Sequence, residues 1–155
     1  MKKFRKVRLE ASSFCQLKCP SCPTANKEID KVVGKGYLAP EKFIQFLKLN
    51  PALQYIELSN YGEIFLNPKI SEILSIAHER KVTLAVSNGV NLNNVKEETL
   101  EDVVKYRMYK MTCSIDGASQ GTYSIYRKGG NFDTVIENIR RINHFKAVYK
   151  TDRPL

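Results

Sequence analysis

The chain has 155 residues, 43% hydrophobic and 26% charged, and 25 basic against 16 acidic side chains give it a formal charge of +9. This is length and composition for one globular domain with its own core, and no apolar run approaches the length needed to cross a bilayer. Met1–Arg8 is basic but no apolar stretch follows it, so no export signal is read, thiols are expected to stay reduced, and a cytoplasmic location without membrane contact is expected.

In chain order, short apolar runs alternate with longer amphipathic ones. Val7–Ala11 alternates as a strand and leads into a cysteine-rich loop. Lys2, Lys3, Arg5, Lys6 and Arg8 give this first segment a basic edge, read as a solvated strand guarded by charge rather than as a nucleic-acid site. Ala39-Pro40-Glu41 opens a helix with Phe43, Phe46 and Leu47 on one stripe. Tyr55–Leu58 is a second strand, and Pro68 is read as the first turn of a helix carrying Ile70, Ile73, Leu74 and Ala77 inward. Val82–Val86 is a third strand ending at Ser87-Asn88-Gly89, followed by a helix over Glu97–Val104. Met108–Ile115 is a fourth strand, Ser119–Tyr126 a short helix, and Phe132–Phe145 a last helix with Val135, Ile136, Ile139 and Ile142 apolar.

Successive strand–helix units predict a parallel sheet covered by helices. Ligands in such folds bind at the C-terminal ends of the strands. Ser12–Cys22, Ser59–Glu63, Ser87–Gly89 and Ser114–Gly117 therefore share one rim.

The first of these segments holds the strongest chemical signal. Cys15, Cys19 and Cys22 are spaced C-x₃-C-x₂-C. Three thiolates can anchor one metal centre and leave a coordination position open, as an iron–sulfur cluster on three cysteines does. The alternatives are a zinc knuckle completed by Cys113 and inert buried thiols. A closed zinc site usually draws on a second ligand pair, and Cys113, His78 and His144 form none. Cys113 is read as a core residue, and neither histidine is assigned chemistry.

With Cys15-x₃-Cys19-x₂-Cys22, Asn60-Tyr61-Gly62-Glu63, Ser87-Asn88-Gly89, and Ser114-Ile115-Asp116-Gly117 with Tyr126-Arg127 in this order, the chain resembles the radical S-adenosylmethionine superfamily. It is most similar to the branch with a SPASM or twitch extension, and the match runs from about Val7 to Phe145. The resemblance implies a [4Fe–4S] cluster on Cys15, Cys19 and Cys22, with S-adenosylmethionine on the open iron. It implies reductive cleavage to methionine and a 5′-deoxyadenosyl radical that takes hydrogen from a substrate, with a peptide as the leading expectation and nucleic acid behind it. It also implies an electron donor such as a flavodoxin or ferredoxin. Glu63 is similar to the residue that meets the methionine amino group, Gly62 to the one that lets backbone approach the ligand, Arg127 to the carboxylate-binding arginine, and Ser114 to a methionine or ribose contact. Asn88 is expected either at the ribose or as a left-handed turn residue before Gly89, and Asp116 is expected to bond its own turn. Two positions depart from the family pattern: Tyr61 stands where a glycine is usual, and Ser21 where an aromatic or large apolar residue often flanks adenine. Phe14 is expected in core packing or over the cluster.

The implied fold is a partial TIM-like (β/α) barrel of about four parallel βα units, with residues 1–155 as the N-terminal portion of the core domain. A full eight-unit barrel takes about 250 residues. Arg153-Pro154-Leu155 reads as the approach to a fifth strand, so a fragment of a longer enzyme is expected, with self-association through an open sheet edge as the alternative. A non-catalytic cluster-binding or assembly module is the competing functional reading.

Overall fold

The computed structural model describes residues 5–155; Lys2 and Lys3 of the basic cluster lie outside the described residues. Four strands, β1 (Lys6–Arg8), β2 (Tyr55–Glu57), β3 (Thr83–Val90) and β4 (Lys110–Cys113), form one sheet in sequence order, each parallel to the next. Six helices accompany them: α1 (Asp30–Val33), α2 (Pro40–Leu49), α3 (Ile70–Glu79), α4 (Glu97–Lys105), α5 (Gln120–Tyr126) and α6 (Phe132–Val148). This is the α/β fold with a partial, open sheet that the strand–helix alternation predicts.

The helices cover one face only. Ile56, Leu84 and Val86 of the strands join Phe43, Leu47, Ile73, Leu74, Leu100 and Val103 of the helices in one buried cluster. Of the residues of opposite parity, Lys6, Arg8, Thr83, Lys110 and Thr112 are exposed, whereas Glu57 and Ala85 in the middle of the sheet are buried. Among the described residues no helix is long and apolar enough to cross a membrane.

Several boundaries differ from expectation. β1 stops at Arg8; Leu9 N still donates to Glu57 O at 2.9 Å, but the loop beyond it bonds elsewhere: Ala11 O accepts from Leu38 N at 3.1 Å and from Asn67 Nδ2 at 2.8 Å. α3 begins at Ile70, two residues after Pro68, because Asn67 organises that turn: its Oδ1 accepts from Lys69 N at 2.9 Å and its carbonyl from Ile70 N at 3.1 Å. β3 runs on through Ser87-Asn88-Gly89, with a register irregularity between Val86 and Val90. Gly89 has φ +107, and a Cβ there would lie 2.3 Å from Ser114 Oγ, so the left-handed residue is the glycine and not Asn88. α1 and a 3₁₀ turn at Ile64–Leu66 are further elements the periodicity does not announce.

Three helices end without glycine. Val82 N bonds Ala77 O, Met108 N bonds Val103 O and Thr151 N bonds Lys146 O, at 2.9, 3.0 and 3.0 Å. These are Schellman closures, and their left-handed residues are Lys81, Arg107 and Lys150, with φ of 57, 55 and 47. A positive side chain at a helix C-terminus offsets part of the backbone strain by interacting with the negative end of the dipole. α5 opens on a reciprocal capping box between Ser119 and Thr122.

Beyond α6 the chain returns to the sheet. Leu155 N donates to Tyr109 O at 3.0 Å and Leu155 O accepts from Met111 N at 3.1 Å, a parallel ladder pattern on the edge of β4. The expected approach to a fifth strand is met at this residue.

Candidate cofactor site

The cysteine loop leaves β1 and is fixed from three sides. Ser12 forms an antiparallel bridge to Tyr37, Lys18 N donates to Lys128 O at 2.9 Å, and Glu63 N donates to Phe14 O at 2.7 Å. The Glu10 carboxylate accepts from Tyr61 N at 3.2 Å and Gly62 N at 2.9 Å, which draws the turn after β2 against the loop. A Cβ on Gly62 would lie 1.9 Å from Ser12 O and 2.9 Å from Phe14 O. The close approach that requires glycine at Gly62 is to the cysteine loop's backbone, and its own backbone also lines the hollow of the three motif cysteines.

All three motif cysteines line one hollow of about 190 Å³ at the C-terminal ends of the strands. Glu63, Ser114 and Arg127 line the same hollow, as do Gly62, Asn88 and Asn91. Larger hollows lie elsewhere, one of about 520 Å³ between Asn93 and Arg141 and one of about 320 Å³ beside His78, but neither gathers thiols. Cys113 is half-buried, packs against the core cluster and is not among the hollow's lining residues.

Arg127, just past the end of α5, reaches into this hollow. Its Nη1 donates to Cys19 Sγ at 3.7 Å and its Nε donates to Asp116 Oδ2. Asp116 therefore orients the arginine, in place of the self-bonded turn expected of it. Glu63 is 4% exposed, and its Oε2 accepts from Asn91 N at 2.7 Å while Oε1 accepts from Phe65 N at 3.3 Å. Each carboxylate oxygen keeps lone-pair capacity beyond its single backbone donor.

Burial dominates the electrostatics. It raises the Glu63 pKa to about 7 against the two backbone N–H bonds and the Arg127 charge. It raises Cys15 to about 11, with the charge of Glu63 and the other two thiols adding to the effect and a backbone bond from Leu17 opposing it. Cys19 is also raised by burial, opposed by Arg127. Cys113 rises to about 12 through burial and the Glu63 charge.

The residues available to hold a metal or cluster are the three thiols that line the hollow, beside the cationic Arg127 guanidinium. Among the described residues no three Cys, His, Asp or Glu side chains stand together as a ready-made metal site. Thiolates on separate irons, as a cubane takes them, need not converge on one point as the ligands of a single zinc ion must.

Sequence reasoning missed Asn91 and Gln16. Asn91 is 4% exposed, with Nδ2 3.9 Å from Cys15 Sγ and 3.3 Å from Gln16 Oε1, and with Oδ1 accepting from Gln16 Nε2 at 2.8 Å. It thus ties the end of β3 to both the cysteine loop and Glu63; a polar residue inside the apolar stretch Val90–Leu92 was the available signal. Asn88 lines the hollow while its Nδ2 donates to Asn60 O at 2.7 Å. Ser21 Oγ and Tyr126 OH share a hydrogen bond of 2.9 Å. Phe14 lies 4.7 Å from the Tyr37 ring, outside the main core cluster. His78 packs beside Tyr106 at the end of α3.

No protein-family model matches the chain, and no curated protein sequence matches it significantly. Solved structures do. SuiB of Streptococcus suis, bound to S-adenosylmethionine, superposes with a TM-score of 0.71 and 18% identity over 91% of this chain and 32% of that one. The same protein bound to its precursor peptide SuiA gives 0.71 and 19% over 91% and 30%. Methylornithine synthase PylB gives 0.65 and 17% over 93% and 42%, and BtrN in complex with AdoMet and 2-DOIA gives 0.59 and 17% over 87% and 55%. The chain thus spans about a third of the length of SuiB. The likeness is one of fold, and at that level it bears out the resemblance drawn from the four motifs.

Proposed function

We propose that this chain is the N-terminal part of a radical S-adenosylmethionine core domain that binds a [4Fe–4S] cluster on Cys15, Cys19 and Cys22 and cleaves S-adenosylmethionine reductively. The observation that carries this reading is the shared hollow: three thiols, Glu63, Ser114 and Arg127 meet at the C-terminal ends of parallel strands. Two of the structural neighbours were solved with S-adenosylmethionine or AdoMet bound, which supports the cosubstrate. When bound, the cluster supplies one electron to the sulfonium and splits it into methionine and a carbon radical that takes hydrogen from substrate.

The chain's own residues supply binding and orientation. Glu63 accepts the methionine ammonium; it sits near half-ionised at neutral pH, and an arriving cation pulls its pKa down and ionises it. Arg127 presents a planar fork to the methionine carboxylate while Asp116 holds Nε. The Ser114 hydroxyl and the Asn88 amide supply neutral polar contacts to methionine or ribose. Burial of Cys15 and Cys19 keeps their thiols protonated in the free protein, so cluster assembly would displace those protons.

The location is cytoplasmic in this reading, an acidic electron carrier such as a flavodoxin or ferredoxin supplies the electron, and a SPASM or twitch extension follows in the whole enzyme. The substrate is a peptide, a proposal supported by the structural likeness to SuiB in its complex with a precursor peptide. Self-association through the sheet edge is the alternative route to a closed barrel.

A second reading, a module that binds cluster and cosubstrate without turning over, rests on the same hollow, since the residues that line it bind and orient and none of them carries the bond cleavage. Anaerobic reconstitution followed by iron, sulfide and 5′-deoxyadenosine assays with a strong reductant separates the two. Iron and sulfide with nucleoside release support the enzyme, and Cys19→Ala removes all three signals. Cluster without nucleoside release supports the module, and zinc without iron sinks both.

A further inference from the structure

The helix-free face of the sheet carries an unusual charge pattern. The strand register places Arg8 beside Glu57, Glu57 beside Ala85 and Ala85 beside Lys110, one straight row across all four strands. Residues in register on a parallel sheet project from the same face. Arg8 and Lys110 are exposed, and among the described residues neither forms an ion pair.

Glu57, the one acid of the row, forms no ion pair with either of them. It is 8% exposed, and its Oε1 accepts from Ser59 Oγ at 2.6 Å, Ser87 N at 2.8 Å and Ser59 N at 3.3 Å. One row nearer the start of the strands, Lys6 lies over the Tyr55 ring at 5.4 Å, which adds a third cation to the same face.

We propose that this face binds an acidic peptide segment laid across the strands, with Arg8 and Lys110 as its carboxylate contacts. The proposal deepens the reading of the thiol hollow as a radical-generating site and rests on it for the reacting end alone. Geometry selects a peptide over a small anion. Arg8 on β1 and Lys110 on β4 stand three strand spacings apart, about 14 Å at roughly 4.8 Å each. A single carboxylate does not bridge that span, whereas an extended chain covers it with acids about four residues apart. Lys110 precedes Ser114 of the hollow by four positions, about 13 Å along the strand, so a peptide anchored on this row keeps a neighbouring residue within reach of the hollow. Exposed cations without an ion-pair partner set up a positive field that attracts anionic groups, and an acidic peptide provides them.

Fluorescence anisotropy with labelled hexaglutamate and hexaglutamine peptides tests this on the whole protein. Hexaglutamate should bind and hexaglutamine should not. Arg8→Gln/Lys110→Gln should weaken hexaglutamate about tenfold, whereas Lys42→Gln/Lys48→Gln, which removes the same charge from the exposed side of α2, should change it less than about twofold. Equal losses in the two double variants, binding indifferent to peptide charge, or displacement by free glutamate at the peptide's own concentration would each overturn the proposal. Cluster content measured in the same preparations keeps the two readings apart: loss of charge-dependent binding with iron and sulfide intact sinks the peptide surface alone, and binding retained without cluster sinks the radical reading alone.

Discussion

Asn91 donates its backbone N–H to Glu63 Oε2 at 2.7 Å and so fastens the end of β3 to the turn after β2, inside the hollow that the three motif cysteines line. The bond leaves the carboxylate buried and fixed, and its charge becomes the variable on which binding at this site turns.

A pH dependence of opposite sign for stability and for cosubstrate binding is expected from Glu63. Its folded pKa is about 7, above the ordinary carboxylate value of 4.5, so between these values the unfolded chain has lost the proton that the folded chain keeps. Stability therefore falls as pH rises from about 4.5 to about 7, by up to about 3 kcal/mol, and is then flat. Affinity for S-adenosylmethionine moves the other way: it is about tenfold weaker at pH 6 than at its plateau above pH 7, because the ammonium needs the carboxylate ionised. Urea unfolding of reduced apoprotein and equilibrium binding across pH 5–8 check both, and Glu63→Gln should flatten both curves.

Gly62→Ala should distort the cysteine loop. The added Cβ meets Ser12 O at 1.9 Å and Phe14 O at 2.9 Å, both backbone atoms with no rotamer to change. The cost is about 3 kcal/mol. Thermal melting should show a clear loss, and reconstituted iron and sulfide should fall with it; a variant melting like the parent contradicts the packing described.

Asp116→Asn should weaken S-adenosylmethionine about threefold to tenfold through a freer Arg127, and Arg127→Lys should weaken it more, since a point ammonium lacks the fork. Ser119→Ala removes the acceptor for Thr122 N in the capping box and costs about 1 kcal/mol. Because α5 ends at Tyr126, immediately before Arg127, that substitution should lower both melting temperature and cosubstrate affinity. Calorimetric titration of the reconstituted protein reads all three.

Cys113 should prove the least reactive thiol and dispensable for the cluster. Burial pushes its pKa to about 12, so at pH 8 its thiolate fraction is on the order of one in ten thousand. Mass spectrometry after brief iodoacetamide treatment of the reduced apoprotein should find it unmodified, and Cys113→Ala should retain full iron and sulfide. Loss of cluster in that variant would restore a role for Cys113 as a fourth ligand.

The sequence alone determined the layers and raised the expectation of a metal centre. Alternating strand and helix periods required a covered parallel sheet, because Ile73, Leu74, Leu100 and Val103 can be buried only against one, and three closely spaced cysteines with no second ligand pair pointed to an open-cornered centre. Helix ends were less legible, since Lys81, Arg107 and Lys150 close helices by Schellman geometry without the glycine that marks it in a sequence. Only the tertiary structure decided which polar groups meet. That Asp116 holds Arg127, that Asn91 bridges Cys15 and Glu63, and that Gly62 yields to Ser12 are contacts between residues far apart in the chain or in separate loops. Hydrogen bonds and steric contact act over a few ångströms, and those distances are set by the strand register and by the loops clamped above it, which no local pattern of residues encodes.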